Sequence, residues 1–190
     1  MTTTISKIVC VSLAMLLYFS IGGSTTVSYA QEKEGGNGTM QIQSSAFAEG
    51  QRIPKQFTCE GEDISPPLTW SAPPSGTKNL VLICDDPDAP MGTWVHWVVY
   101  GLPPSVTSLP QSIPTKDDIL GGGKQGRNDF GNIGYGGPCP PPGSPHRYFF
   151  KLYAVDMEPA LGRGVTKAEV MKAIEGHILA EGKLMGRYGR

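Results

Sequence analysis

The segment NLVLICDDPDAPMGTWVHWVVYG, residues 79–101, holds two apolar runs separated by a turn. Residues 79–84 form a continuous run of mostly branched apolar side chains, short enough to be a buried strand. Residues 93–101 are rich in β-branched and aromatic side chains, which also favour a strand. Pro87 and Pro90 restrict the backbone between the two runs. The segment therefore predicts two strands joined by a rigid turn.

Residues on either side of this segment add further strands and one helix. HRYFFKLYAVD at 146–156 predicts a third strong strand, and the weaker alternation at 40–47 predicts a first one. The helical pattern is confined to 166–176, where Thr166 and Glu169 have the spacing of a capping box. We therefore predict a mostly β fold, a two-sheet antiparallel, Greek-key-like sandwich with a short helix near the C-terminus.

The residues that follow the helix allow two interpretations. Gly176 fits a helix stop at the C′ position, and the apolar residues of 177–188 nearly continue the helical period. Gly182 and Gly186 equally fit a last strand. The residues alone leave 177–188 as either helix or strand.

Composition limits the classes of protein to which the chain can belong. Its 190 residues are enough for one domain, and 39% of them are apolar, which is enough to build a core. The formal net charge of −1 offers no general attraction to nucleic acid or to an anionic membrane. The 25 Gly and 17 Pro disfavour a helix bundle and favour short strands with structured loops.

The first thirty residues have the order of a secretory signal. Lys7 precedes an apolar run, and small residues follow up to Ala30. The run is shorter than the ~20 apolar residues of a membrane span, so we expect no stable membrane insertion. We predict a signal peptide at 1–30 that is cleaved near Ala30, a flexible tail at 31–39, and one domain at 40–190. The protein would then be exported to the periplasm or secreted.

Cysteine usage leaves one question open. Cleavage would remove Cys10 and leave Cys59, Cys84 and Cys139, so at most one bridge can form. Cys84 ends a buried run and is expected to be a core thiol. Cys59–Cys139 is the more plausible pair, because both residues lie in turn-rich segments. A domain of this size buries enough surface to fold without depending on a disulfide.

Polar side chains occur near the ends of the predicted strands. Residues i and i+2 of a strand share a face, so Trp94 and His96 should lie together, with Trp97 on the opposite face. His146 and Tyr148 should share a face of the third strand in the same way. Asp86 and Asp88 follow the buried strand and should emerge at the rim of the sheet, giving the candidate site residues Asp86, Asp88, Trp94, His96, His146 and Tyr148.

Such a set of side chains predicts a pocket for a phosphate-type anion. A carboxylate bonded to an imidazole raises the pKa of that ring and fixes its tautomer. The second imidazole, the Tyr148 hydroxyl and loop N–H groups around Gly136 and Gly137 could then donate to ligand oxygens. The histidines and aspartates could also bind a metal, but the pocket needs none, and we predict neither metal nor cofactor.

Longer motifs resemble those of the phosphatidylethanolamine-binding protein family, and more narrowly its bacterial Raf-kinase-inhibitor-like branch. These motifs are DDPDAP at 85–90, TWVHWVVYGLP at 93–103 and GYGGPCPPPGSPHRYFFKLYAVD at 134–156. The resemblance covers about 40–190 and implies a two-sheet antiparallel sandwich with an anion pocket at one end. It also implies that 177–188 is partly a strand, that Pro90 is among the pocket residues, and that the loop from Gly137 to Pro142 forms the pocket rim.

The leading hypothesis is an exported, non-catalytic protein that binds a small phosphorylated or otherwise anionic ligand. One alternative is a hydrolase with His96 or His146 as base and Asp86 as its orienting carboxylate. Another is an extracellular protease inhibitor or partner-binding module. In that case the long Gly- and Pro-rich loop at 121–145 would contact a protein partner.

Overall fold

The computed structural model describes residues 38–119 and 121–190. The predicted signal peptide and residues 31–37 of the predicted tail lie outside this part of the chain. The strands are β1 (Gly38–Thr39), β2 (Ile42–Gln43), β3 (Leu68–Trp70), β4 (Asn79–Asp86), β5 (Trp94–Leu102), β6 (Ser108–Leu109), β7 (Lys124–Gln125), β8 (His146–Val155) and β9 (Ile178–Tyr188). The helix α1 spans Lys167–Ala173, and Lys55–Phe57 form one turn of 3₁₀ helix.

The strands form two sheets, as the sequence predicts. The larger sheet has the order β1-β9-β8-β4-β5-β7, and the smaller one has the order β2-β3-β6. Every pair of strands is antiparallel except β1 with β9, which is parallel. Because Gly38 and Thr39 form β1, the last two residues of the predicted tail belong to the folded domain.

Apolar side chains fill both faces of the larger sheet. Between the sheets, Leu82, Trp97 and Phe150 of the larger sheet pack with Leu68 and Leu109 of the smaller one. On the outer face, Val170 and Ile174 of the α1 segment cover a second apolar cluster. Strands buried on both faces read as continuous apolar runs, which explains the composition of β4 and β5. No helix within the described residues has the length and apolarity that a membrane span requires.

The helix is shorter than the predicted range 166–176. Thr166 is its N-cap and forms the predicted capping box with Glu169. The helix ends at Ala173 with Ile174 as C-cap, so Gly176 lies beyond C′, where it adopts a positive φ of 78°. The residues after it form β9, which resolves the ambiguity at 177–188 in favour of a strand.

A β-bulge at His96 breaks the strict alternation expected along β5. Cys84 pairs with Trp97, and Asp85 pairs with Val95, so His96 is an extra residue between the two pairs. Trp97 therefore lies in the core between the sheets rather than on the face opposite His96. The bulge allows the imidazole of His96 and the indole of Trp97 to lie on the same side of the sheet.

Candidate functional site

A cavity of about 220 Å³ lies where the end of β4, the start of β5 and the start of β8 meet. The register brings these ends together, because Asp86 pairs with Trp94 and Asp85 pairs with Phe149. The cavity is lined by Asp86, Ala89, Pro90, Met91, Trp94, His96, Phe130, Cys139, Pro140, Pro141, His146 and Tyr148. The structure thus brings together most of the residues predicted from the strand ends.

The carboxylate of Asp86 holds the imidazole of His146. His146 Nδ1 donates to Asp86 Oδ2 at 2.8 Å, and both side chains are largely buried. The backbone N–H of Asp88 donates to the other oxygen of Asp86 at 2.8 Å. Because Nδ1 is engaged, Nε2 of His146 remains for a ligand.

His96 lies deeper, and its environment favours the neutral ring. Its Nδ1 donates to the carbonyl of Gly136 at 2.6 Å, and only 2% of the residue is exposed. Burial lowers the pKa of His96, because the charged ring loses its solvation. The neutral ring protonated at Nδ1 presents Nε2 as an acceptor, so His96 is not the additional donor that the sequence suggested.

Two buried donors in the lining side chains have no hydrogen-bond partner among the described residues. They are Nε1 of Trp94 and the hydroxyl of Tyr148. Burial raises the pKa of Tyr148, as does the nearby charge of Asp86, so its hydroxyl keeps its proton. The ring of Tyr148 packs edge-on against His96, with centroids 5.1 Å apart. Buried donors without a partner are rare and costly in native proteins, which marks this cavity as a place for a polar ligand.

Comparison with known proteins identifies the family. Residues 43–189 match the family model described as phosphatidylethanolamine-binding protein. The chain belongs to this family.

Relatives within the phosphatidylethanolamine-binding protein family extend from archaea to bacteria. A UPF0098 protein of Methanothermobacter thermautotrophicus is 50% identical over 80% of this chain and 99% of its own length. A UPF0098 protein of Aquifex aeolicus is 46% identical over 88% of this chain and 98% of its own length. These relatives match the chain over nearly their whole length.

Two solved structures of phosphatidylethanolamine-binding protein homologues share the fold. One, from Chlamydia trachomatis, has a TM-score of 0.73 and 44% identity, and the match covers 80% of this chain and 98% of that chain. The other, YbcL of E. coli, is described as a new member of the mammalian family. It has a TM-score of 0.75 and 35% identity over the same shares of the two chains. The mostly β, two-sheet fold of this family member is therefore that of its relatives.

Asp88 was predicted as a site residue, but its side chain does not line the cavity. Its carboxylate accepts hydrogen bonds from the backbone N–H, Nε and Nη2 of Arg147, at 2.7 to 2.9 Å. These bonds lower the pKa of Asp88 to about 2. Arg147 follows His146 in β8 and points to the other face of the sheet. Asp88 therefore fixes Arg147 rather than the pocket.

Gly137 was also predicted as a site residue, as a backbone donor, and the structure assigns it a different role. Its N–H donates to Asp63 Oδ1 at 2.6 Å, and the N–H of Gly136 donates to the carbonyl of His96 at 2.9 Å. Neither amide is therefore available to an anion. A Cβ at Gly137 would lie 2.5 Å from the carbonyl oxygen of Phe57, so close packing requires glycine here.

Several lining residues were missed in the sequence. Met91 and Phe130 are the large hydrophobic side chains most open to solvent in the described part of the chain, at 92% and 43% exposure. Both lie at the cavity, although they come from separate loops. The proline-rich rim was predicted, but no local sequence pattern indicates that Phe130 packs near the start of β5.

The disulfide pair left open by the sequence is formed. Cys59 is bonded to Cys139, and Cys84 is a buried free thiol whose pKa is raised by burial. Because Cys139 lines the cavity, the bridge ties one wall of the pocket to the segment that follows the 3₁₀ turn.

Asp85 was not singled out in the sequence, and it forms a separate charged cluster. It is fully buried and accepts hydrogen bonds from Lys151, at 3.0 Å, and from Lys167. This cluster joins α1 to β4 and β8 on the face opposite Tyr148. It therefore stabilises the helix position and is not part of the pocket. Within residues 38–119 and 121–190, no group of three or more His, Cys, Asp or Glu side chains could hold a metal ion.

Proposed function

We propose that this protein is an exported, non-catalytic binding protein whose pocket takes a small ligand with a phosphate-type or other anionic headgroup. The observation that supports the proposal most strongly is the pair of buried donors without partners, Trp94 Nε1–H and Tyr148 O–H. A ligand oxygen that accepts from both would remove the cost of leaving them unpaired.

The charges at the pocket favour a compact anionic group on a larger organic ligand. No Lys or Arg is among the lining residues, and the Asp86 carboxylate alone would repel an anion. To bind an anion, His146 would have to carry a proton on Nε2 as well as on Nδ1, which would offset that carboxylate and provide a charge-assisted donor. The walls of Pro90, Met91 and Phe130 are apolar. Part of the affinity should therefore come from apolar contact with the rest of the ligand.

Among the described residues, the lining offers no Ser, Thr or free Cys nucleophile, because the sulfur of Cys139 is held in the disulfide. This composition disfavours hydroxyl- or thiol-based covalent catalysis, while the Asp86 carboxylate and the two imidazoles are the groups that a turnover assay would test. A hydrolase would have to activate a water, and the experiment below includes that outcome.

The disulfide also supports export. Bridges persist in oxidising compartments and are rare where thiols are kept reduced. A bridge between Cys59 and Cys139 agrees with the secretory signal expected at 1–30. N-terminal sequencing of protein from its own host should give a mature chain that begins at Gln31, and a start at residue 1 or 2 would contradict export.

Calorimetry with phosphate and phosphoethanolamine tests the pocket through Tyr148→Phe. The variant keeps the ring and removes only a hydroxyl that lies near the Asp86 carboxylate but forms no hydrogen bond with the described residues. We expect binding to weaken by about tenfold, while the free energy of unfolding stays the same or rises. A structural role for the hydroxyl predicts the opposite result, with lower stability and unchanged affinity.

His146→Ala provides the second measurement. Loss of a charge-assisted bond worth ~1.5–3 kcal/mol should weaken phosphate binding by roughly tenfold to a hundredfold. The control is His177→Ala, because His177 is exposed and bonded to Asp156 away from the pocket. Unchanged affinity in both pocket variants would contradict the proposal. Phosphoester or ester turnover by the wild type, abolished in His146→Ala, would favour the hydrolase instead.

A further inference from the structure

A groove adjoins the pocket and, unlike the pocket, has arginine side chains in its lining. It has a volume of about 350 Å³ and is bordered by Asp88, Arg147, Arg187 and the loop 141–145. His146 lines both this groove and the pocket, as does Pro141. A ligand seated in the pocket could therefore extend past these two residues into the groove.

The groove contains a pair of like charges that neighbouring strands normally avoid. Arg147 of β8 lies directly opposite Arg187 of β9, and both are exposed. Like charges at directly opposed positions destabilise a sheet. Asp88 offsets the charge of Arg147 through its two side-chain hydrogen bonds. For Arg187, no carboxylate of the described residues lies within 4 Å, so its charge is left uncompensated.

The backbone of Arg187 is fixed on both sides. Its N–H donates to the carbonyl of Gln51 at 2.9 Å, and its carbonyl accepts from the N–H of Ile53 at 2.8 Å. The pairing of β9 with β8 fixes the opposite edge of the strand. The strand beneath Arg187 is therefore rigid, so that ligand binding has to order the side chain but not the backbone.

We propose that the groove is a second anion subsite, in which Arg187 binds a further anionic group of a ligand whose headgroup occupies the pocket. The ligand is then an elongated molecule with two anionic groups, such as an organic bisphosphate. The Arg187 guanidinium is the main donor, and the N–H groups of Arg147 that Asp88 leaves free assist it. This inference rests on the proposed function, since it assumes that the pocket holds the first group.

The probes are alkyl monophosphates and the corresponding α,ω-bisphosphates with linkers of increasing length, measured by calorimetry. The monophosphates report on the pocket alone, and the difference between the two series reports on the groove. In the wild type, we expect bisphosphates above a threshold length to bind about three- to tenfold more tightly than monophosphates. This advantage should shrink between about 50 and about 500 mM salt, because exposed charges are screened.

Two variants assign the effect to one residue. Arg187→Gln should reduce bisphosphate affinity to that of the monophosphate and leave monophosphate binding unchanged. The matched control is Lys183→Gln, because Lys183 is an exposed cation on the same face of β9 that lies outside the groove. It should leave both series unchanged.

The results distinguish failure of this inference from failure of the proposed function. Equal affinity for both series at every linker length, with monophosphate bound, overturns the second subsite and leaves the pocket intact. An advantage that survives Arg187→Gln, or that is lost equally in Lys183→Gln, overturns it as well. Absence of monophosphate binding in the wild type overturns the proposed function, and the inference with it.

Discussion

His96 links the pocket to the stability of the domain. Its ring is neutral in the folded state because burial lowers its pKa below the ordinary value of 6.5. The unfolded chain takes up a proton near that ordinary value and the folded chain takes it up only at lower pH. The contribution of His96 to stability is therefore complete above pH 6.5 and is lost as the pH falls toward the lowered pKa.

We expect the free energy of unfolding in urea to fall between pH 7.5 and pH 5, and to fall less in His96→Asn than in the wild type. Each unit by which burial lowers the pKa corresponds to ~1.4 kcal/mol. Asp88 does not interfere, since its pKa of about 2 lies well below this range. His177→Asn, which changes an exposed ring, should keep the wild-type dependence. The same pH dependence in His96→Asn and the wild type would show that burial does not hold this ring neutral.

At the level of secondary-structure elements, the N-terminal cap of α1 contributes to the free energy of unfolding. The side chain of Thr166 accepts from the N–H of Glu169, and the carboxylate of Glu169 accepts from the N–H and hydroxyl of Thr166. The cap fixes the start of the helix that covers the outer apolar cluster through Val170.

Thr166→Ala should lower the free energy of unfolding by about 1 kcal/mol, the usual cost of losing an N-cap side chain. The measurement is a urea midpoint at constant m-value. Thr107→Ala is the matched control, since this exposed threonine makes no side-chain hydrogen bond with the described residues. A loss of equal size in both variants would indicate that the cap contributes nothing specific.

At the level of strands and helix, much could be predicted from the sequence because the signals are local. The apolar runs of β4, β5 and β8 and the capping box at Thr166 depend on neighbouring residues. β9 could not be assigned from its own residues, because its strand form depends on pairing with β8 and β1. Gly182, which suggested a strand, lies where a Cβ would be 2.6 Å from the carbonyl oxygen of Met40.

The pocket was predictable where it is built from strand ends, and unpredictable where it depends on contacts distant in sequence. Asp86, His146 and Tyr148 follow from alternation and register. The bulge at His96 arises from pairing with β4, so alternation within β5 could not show it. In the sequence, the neighbours of Asp88 do not distinguish it from Asp86. Only its bonds to Arg147 show that it points elsewhere.

At the scale of the whole molecule, the Cys59–Cys139 bridge joins residues 80 apart in sequence. Restricting the unfolded chain over such a loop stabilises the folded state by about 4.5 kcal/mol in the chain-entropy model. Reduction should therefore lower the melting temperature by roughly 10 °C. The reduced domain should still be folded at 25 °C, because its core is large enough without the bridge.

The control is a double variant, Cys59→Ala with Cys139→Ala, whose melting temperature should not respond to reductant. Because Cys139 lines the cavity, we also expect reduced protein to bind phosphoethanolamine more weakly than oxidised protein. An unchanged melting temperature after complete reduction would show that the bridge does not stabilise the domain.

The position of β9 has a consequence for how the chain matures. Translation releases the N-terminal strands first, yet the larger sheet places the last strand between β8 and β1. A nascent chain therefore cannot close this sheet until residue 188 has left the ribosome. For a protein exported as we propose, export that accompanies synthesis would therefore deliver most of the chain before the larger sheet can be completed.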